Sequence, residues 1–296
     1  RSLVRFPVRI QTTIRRCFSS QTTTDSYEVC IVGAGPAGFY TAHQLLKSND
    51  KIKVHFIEKL PVPYGLVRFG VAPDHPEVKN VIDQFAEIAR SDRVTFCGNI
   101  SLGQDVTLAD LRARYSAVVL SYGAEDDRQL QIPGEDFNGV YSARSFVGWY
   151  NGLPEHQHLE PNLNCDTAVV LGQGNVAVDI ARILLSPIDL LAKTDITEQA
   201  LQTISESSIE RVLLVGRRGP IEAAFTIKEF REMTKLPGCN TIVNAKDMEF
   251  SEEELEYVNG RRPLKRLTEL LRKTSMDKTQ VCFCVCLLSS TLCICV

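Results

Sequence analysis

The chain has 296 residues, of which 44% are hydrophobic and 23% charged, and its formal net charge is −3. This composition argues against a fibrous or disordered protein, and the length suggests about two domains. An acidic balance argues against nucleic acid as the partner, because neutralising phosphates calls for a basic surface.

The first 24 residues depart from that average. They hold five arginines (Arg1, Arg5, Arg9, Arg15, Arg16) and no acid; the rest of the chain has 28 basic against 36 acidic residues, a balance of −8. Leu3, Phe6, Ile10 and Ile14 recur at helical spacing among Ser and Thr, the pattern of a mitochondrial transit peptide. Arg16-Cys17-Phe18-Ser19 resembles a matrix-protease cleavage site, so residues 1–25 read as a removable leader. A basic disordered tail is the plainer alternative.

Tyr27–Val32 reads as a short apolar strand, followed directly by Gly33-Ala34-Gly35-Pro36-Ala37-Gly38. A helix is expected from Ala37 to Leu46 and a second strand over Lys53–Ile57. In such a unit Gly33 makes the tight turn, Gly35 lets a pyrophosphate approach the backbone, and Gly38 lets helix and strand pack closely. The pyrophosphate then lies against the free N–H groups of the helix start. Glu58 ends the second strand 20 residues after Gly38, where an acid bonds a ribose hydroxyl.

The pattern recurs. Thr167–Leu171 is an apolar strand, then come Gly172-Gln173-Gly174-Asn175-Val176-Ala177 and a helix over Val178–Leu185. The next strand, Arg211–Gly216, ends in Arg217 and Arg218 in place of an acid. Guanidinium groups there suit a 2′-phosphate, which favours NADP(H) over NAD(H); exposed charge at a strand end is the plainer reading. Gly172 and Arg217 are 45 residues apart, against about 20 in the compact motif. Residues 186–210 are therefore an insertion, with short helices at Ile188–Lys193 and Glu198–Ser205. Two such units imply an α/β fold with two Rossmann-like dinucleotide-binding domains, FAD in the acid-ended one and NADPH in the arginine-ended one.

The run PVPYGLVRFGVAPDHPEVKNV from Pro61 to Val81 resembles the adrenodoxin reductase family, the mitochondrial NADPH:ferredoxin reductases. The resemblance continues through Leu120–Asp126, Ser145–Pro154 and Gly216–Pro220, and spans residues 26 to about 275. It implies an FAD-binding domain over 26–126 and an NADP-binding domain over 127–279. It implies FAD contacts from Pro36, Ala37, Glu58, Leu66 and Leu102, and NADPH contacts from Gln173, Asn175, Val176, Arg217, Arg218 and Glu229 on a helix over Thr226–Met233. His75 and Asp179 match a pair associated in the family with the flavin region and the ferredoxin dock. Each has a second reading: His75 orders the Pro73–Pro76 turn, and Asp179 is a solvated helix side chain. Electrons would pass from NADPH through FAD to an acidic [2Fe–2S] ferredoxin, docked on basic residues of which the resemblance singles out Arg231, Arg262 and Arg266. A solvated charged face is the alternative there. The resemblance further implies a monomer in the mitochondrial matrix, peripheral to the inner membrane, serving steroid hydroxylation or iron–sulfur and haem assembly.

Ten cysteines divide into Cys17 in the leader, four scattered in the body, and five in the last fifteen positions. No body CxxC or CxxxxC pair exists, so neither a disulfide-reductase centre nor a zinc site is indicated, and free thiols are expected. After residue 279 the sequence (QVCFCVCLLSSTLCICV) departs from the family pattern. An aberrant terminus is the favoured reading, ahead of a membrane tail or a metal site. Family members continue much further, so the FAD domain is expected to be incomplete at its C-terminal side, with weak flavin retention. A catalytically inactive isoform that binds NADPH or ferredoxin without turnover is the alternative to an active reductase.

Overall fold

The computed structural model describes residues 26–124, 127–276 and 284–289; the leader read from residues 1–25 lies outside them. The chain divides into two compact units, residues 1–71 with 75–126 and residues 72–74 with 127–296. Among the described residues no helix is long and apolar enough to cross a membrane.

In the first unit, β1 (Tyr27–Val32), β2 (Ile52–Ile57), β3 (Val94–Cys97) and β4 (Ala117–Leu120) form a parallel sheet in the order β3-β2-β1-β4. Helix α1 (Pro36–Ser48) joins β1 to β2, and α2 (Val81–Ala89) precedes β3. Because successive strand residues face opposite ways, β1 serves two cores. Val29 and Ile31 meet Phe39, Phe56, Tyr64 and Phe85 on one side; Cys30 and Val32 meet Ile57, Cys97, Leu111 and Tyr115 on the other. Both faces are covered, as parallel sheets require. The first core is an aromatic stack, with Phe39 centroids 4.7 Å from Phe56 and 4.9 Å from Phe85. Such pairs contribute about 0.5–1.5 kcal/mol beyond their buried area.

The second core carries polar groups. His55 on β2 is buried, and its Nδ1 lies 3.1 Å from the Tyr115 hydroxyl just after α3 (Leu108–Arg114). The Arg114 guanidinium sits 3.2 Å from the buried Glu28 carboxylate. Burial pulls the His55 pKa below its ordinary 6.5, against the opposing pull of Glu28. The same burial pushes Cys30 and Tyr115 up to about 12. Cys30, Cys165 and Cys239 are free thiols.

In the second unit, β5 (Thr167–Leu171), β6 (Arg211–Gly216), β7 (Asn240–Val243) and β8 (Cys284–Ser289) form a parallel sheet in the order β5-β6-β8-β7. The core lies beneath α4 (Ala143–Tyr150) and α5 (Asn175–Leu185), with Trp149, Tyr150, Val178, Ala181 and Ile183 almost wholly buried. The span between β5 and β6 includes helical turns at Ile188–Leu191 and α6 (Glu198–Ser205). Then follow α7 (Ile227–Met233), α8 (Glu252–Asn259) and α9 (Arg262–Met276).

Strand β8 falls within 280–296, which the sequence reading set apart from the second domain (127–279) as an aberrant tail. Residues 284–289 lie between β6 and β7, in register with Arg211–Gly216 on one side and Asn240–Val243 on the other. The physical reason is the segment's own composition. A short apolar run suits a central parallel strand, and the α8–α9 crossover allows the parallel connection from β7. Among the described residues, β7 has no other ladder partner.

Two outcomes follow from these cores. Leu287→Pro removes a backbone donor from a central strand and leaves its carbonyl partner unsatisfied, which costs about 1–3 kcal/mol. Trp149 is the chain's single tryptophan, so the change is read as an earlier urea midpoint by tryptophan fluorescence; an unchanged midpoint would show that β8 carries no stability. For His55 the neutral form is favoured by folding, so its contribution is complete above pH 6.5 and is lost as pH falls below that value. Thermal melts between pH 8 and 5 should show this acid loss in the parent chain, reduced in His55→Gln.

Candidate functional site

The first site forms where the C-terminal ends of β1, β2 and β3 converge. Gly33 has φ +99°, and a Cβ there would lie 2.5 Å from the Ser121 carbonyl oxygen, so only glycine fits the turn. A Cβ on Gly38 would lie 2.3 Å from the Gly33 oxygen, which fixes the helix tight against the strand end. Gly35 is different: a Cβ there meets nothing within 4 Å. That open space leaves room for an anionic group to approach the backbone at the start of α1, with Pro36 and Ala37 opening the helix.

Glu58 is buried and clamps this turn. Its Oε2 accepts the Ala34 N–H at 2.7 Å and its Oε1 accepts the Leu60 N–H at 3.1 Å. A carboxylate oxygen has a second lone pair, so ribose hydroxyls can still be accepted there. Tyr64 donates its N–H to the Ala34 oxygen at 2.7 Å, tying the Pro61–Gly70 run to the glycine turn and bringing Leu66, 75% exposed, to its edge. The Ile100 N–H donates to the Glu58 backbone carbonyl at 3.0 Å, and Leu102 follows, bridged to Val106. The sequence-derived first-site residues thus lie on the glycine turn, on the helix it opens, or on segments tied to Glu58 and Ala34 by backbone hydrogen bonds. His75, in this unit, is buried with Nδ1 3.1 Å from the Glu77 carboxylate.

The second site repeats the plan. Gly172, Gly174 and Asn175 lead from β5 into α5, and a Cβ on Gly172 or Gly174 meets nothing within 4 Å. Ala177, at the packing position, is buried, and Val176 is exposed. The Gln173 carbonyl oxygen accepts N–H bonds from Ala224 (2.8 Å) and Phe225 (3.0 Å), while Asn175 Oδ1 accepts the Thr226 N–H at 2.8 Å. The Gln173 side chain lies over Gly216, where a Cβ would come within 2.0 Å of its Cδ. Arg217 and Arg218 leave the end of β6 exposed to solvent, Arg218 3.7 Å from Glu222. Thr226 caps α7, which carries Glu229.

Asp179 departs from its solvated alternative. It and Glu229 share Arg182, which is 4% exposed and pairs with Asp179 at 2.8 Å, Glu229 at 3.4 Å and Asp74. Neither Arg182 nor Asp74 stood out in the sequence reading. The available signal was an Asp–Arg pair three residues apart inside the apolar helix NVAVDIARILL. The docking candidates Arg231 on α7 and Arg262 and Arg266 on α9 are all exposed and stand apart from the glycine turn in sequence.

Comparison with known proteins matches this arrangement. The profile of the pyridine nucleotide-disulphide oxidoreductases matches residues 27–212, and the chain belongs to that family. It is 58% identical over 259 residues to the NADPH:adrenodoxin oxidoreductase, mitochondrial, of Salvelinus fontinalis, covering 88% of this chain and 52% of that protein. With the Homo sapiens protein of the same name the identity is 59%, covering 88% and 52%. The chain thus spans about half the length of the curated relatives it matches. Mycobacterium tuberculosis FprA in complex with NADPH superposes with a TM-score of 0.85 at 40% identity, covering 89% of this chain and 59% of FprA.

The glycines separate folding from binding. Gly38→Ala forces backbone apart and should lower the melting temperature of the first unit markedly. Gly35→Ala, in open space, should leave that melt unchanged and abolish flavin nucleotide binding by titration. Equal melting losses in the two variants would contradict the contact geometry.

Proposed function

We propose that the chain carries the nucleotide-binding framework of a mitochondrial NADPH:ferredoxin oxidoreductase, with FAD in the first unit and NADPH in the second. The observation that carries this is the contrast between the two turns. One faces a buried carboxylate at the end of its second strand and the other faces two exposed guanidiniums. A carboxylate accepts from ribose hydroxyls and repels a 2′-phosphate, whereas arginine binds phosphate through paired N–H groups.

Residues of this chain do the positioning. Glu58 fixes the first turn, Gly35 and the α1 N-terminus receive the FAD pyrophosphate, and Leu66 and Leu102 border it. Arg217 and Arg218 grip the 2′-phosphate, Gly172–Val176 receives the second pyrophosphate, and Glu229 takes the ribose beyond it. When bound, FAD supplies the conversion between a two-electron donor and one-electron transfers. His75 and Asp179 belong to the flavin and ferredoxin side of this scheme.

The partner is an acidic [2Fe–2S] ferredoxin docking at Arg231, Arg262 and Arg266. Arg262, Lys265 and Arg266 fill the first turns of α9, which has no acid in its first turn. Cations at a helix N-terminus oppose the macrodipole, so their placement does not serve helix stability and favours an external anionic surface. Opposite charges steer encounter and make the rate fall with salt. The matrix is the location this reading implies, in keeping with the mitochondrial relatives.

Replacing Arg217 and Arg218 together by Ala should weaken NADPH binding about 10–100-fold, as expected for charge-assisted hydrogen bonds of about 1.5–3 kcal/mol, and leave NADH unchanged. Equal effects on both coenzymes would remove the second-site assignment. Ferredoxin-dependent cytochrome c reduction with NADPH tests the activity itself. Turnover that falls in Arg262→Glu and with added salt supports the reading, and nucleotide binding without turnover supports the inactive alternative.

A further inference from the structure

Arg182 pairs with three carboxylates of the second unit. It lies within α5, between Ala181 and Ile183, and is 4% exposed. Its Nε and Nη2 hold both oxygens of Asp74, Nη2 also donates to Asp179 Oδ1 at 2.8 Å, and Nη1 reaches Glu229 Oε2 at 3.4 Å. Burial alone would pull its pKa down; the bonds and charges of Asp74 and Asp179 outweigh that and hold it up. Tyr150, fully buried, has a hydroxyl with no hydrogen-bond partner among the described residues, and burial together with Asp179 and Asp74 pushes its pKa up.

Burying a guanidinium costs several kcal/mol unless it is paired. One carboxylate would neutralise it, yet three surround it. Glu229 is the arm with a purpose at the surface. It lies at N3 of α7, whose cap residue Thr226 bonds Asn175 of the glycine turn. If the 2′-phosphate sits at Arg217 and Arg218 and the pyrophosphate at Gly172–Val176, the nucleotide's other half extends to the Asn175 side, toward Glu229. A free carboxylate there would be repelled by the pyrophosphate and turn away.

We propose that Arg182 is a positioning residue for the nicotinamide half of NADPH: anchored by Asp74 and Asp179, it holds the Glu229 carboxylate in place to accept ribose hydroxyls. Arg182 touches no nucleotide atom itself and acts through Glu229. The proposal rests on the assignment of NADPH to the second unit, and its test separates the two. The probe pair is NADPH and 2′,5′-ADP, which contains the adenine half and its 2′-phosphate but no nicotinamide ribose.

Both ligands are titrated into the full chain and into Arg182→Met, Arg182→Lys and Asp74→Asn, with melting by circular dichroism alongside. In the parent chain both should bind. In Arg182→Met, NADPH affinity should fall about ten-fold or more, the size of a lost hydrogen bond to a charged group, with 2′,5′-ADP unchanged. Arg182→Lys and Asp74→Asn should show the same selective loss to a smaller degree, and they decide the matter if Arg182→Met does not fold. Loss of both ligands in step, or of neither, in folded variants overturns the role of Arg182 while leaving the site assignment intact. Failure of the parent chain to bind either ligand removes the site assignment, and the proposal with it.

Discussion

Both units depend on one steric constraint: a strand must end, turn and enter a helix with no side chain between the backbone and an approaching pyrophosphate. In the first unit the constraint is visible from both sides. Gly33 and Gly38 have backbone where a Cβ would be, while Gly35 has nothing. In the second unit Gly172 and Gly174 leave the same open ground. The crowded glycines shape the turn, and the empty ones leave room for the ligand.

Around that shared turn the two units diverge through charge. In the first, the Glu58 carboxylate is spent partly on the fold, accepting two backbone N–H groups. In the second, the turn is braced by neutral hydrogen bonds from Ala224, Phe225 and Thr226, which leaves the strand-end arginines exposed and available. Buried charge in the second unit is concentrated instead at Arg182 and its three carboxylates. The same topology thus presents an acceptor in one place and cationic donors in the other, which suits two different adenine nucleotides.

Much of the parallel α/β fold was legible from local pattern. Tyr27–Val32 and Arg211–Gly216 were read as strands, and both are strands; α5 begins at Asn175, one residue after the second motif's last glycine. These features are local: an apolar strand, glycines at fixed offsets and an amphipathic helix each announce themselves within about twenty residues. Long-range features were not legible. Nothing near Asp74 indicates that its partner is 108 residues away in α5. The cysteine-rich run was set aside because it broke the family pattern, although its composition suits the central strand that residues 284–289 form. The polar second core of the first unit was likewise hidden, since His55, Tyr115 and Glu28 come from different strands and helices.

The most direct measurement is a crystal structure of the chain soaked with both FAD and NADP⁺. Density for the adenosine 2′-phosphate against Arg217 and Arg218, with a separate dinucleotide whose ribose meets Glu58, is the expected result. Both nucleotides in one site, or the 2′-phosphate remote from those arginines, would show that the charge contrast between the turns does not select their ligands.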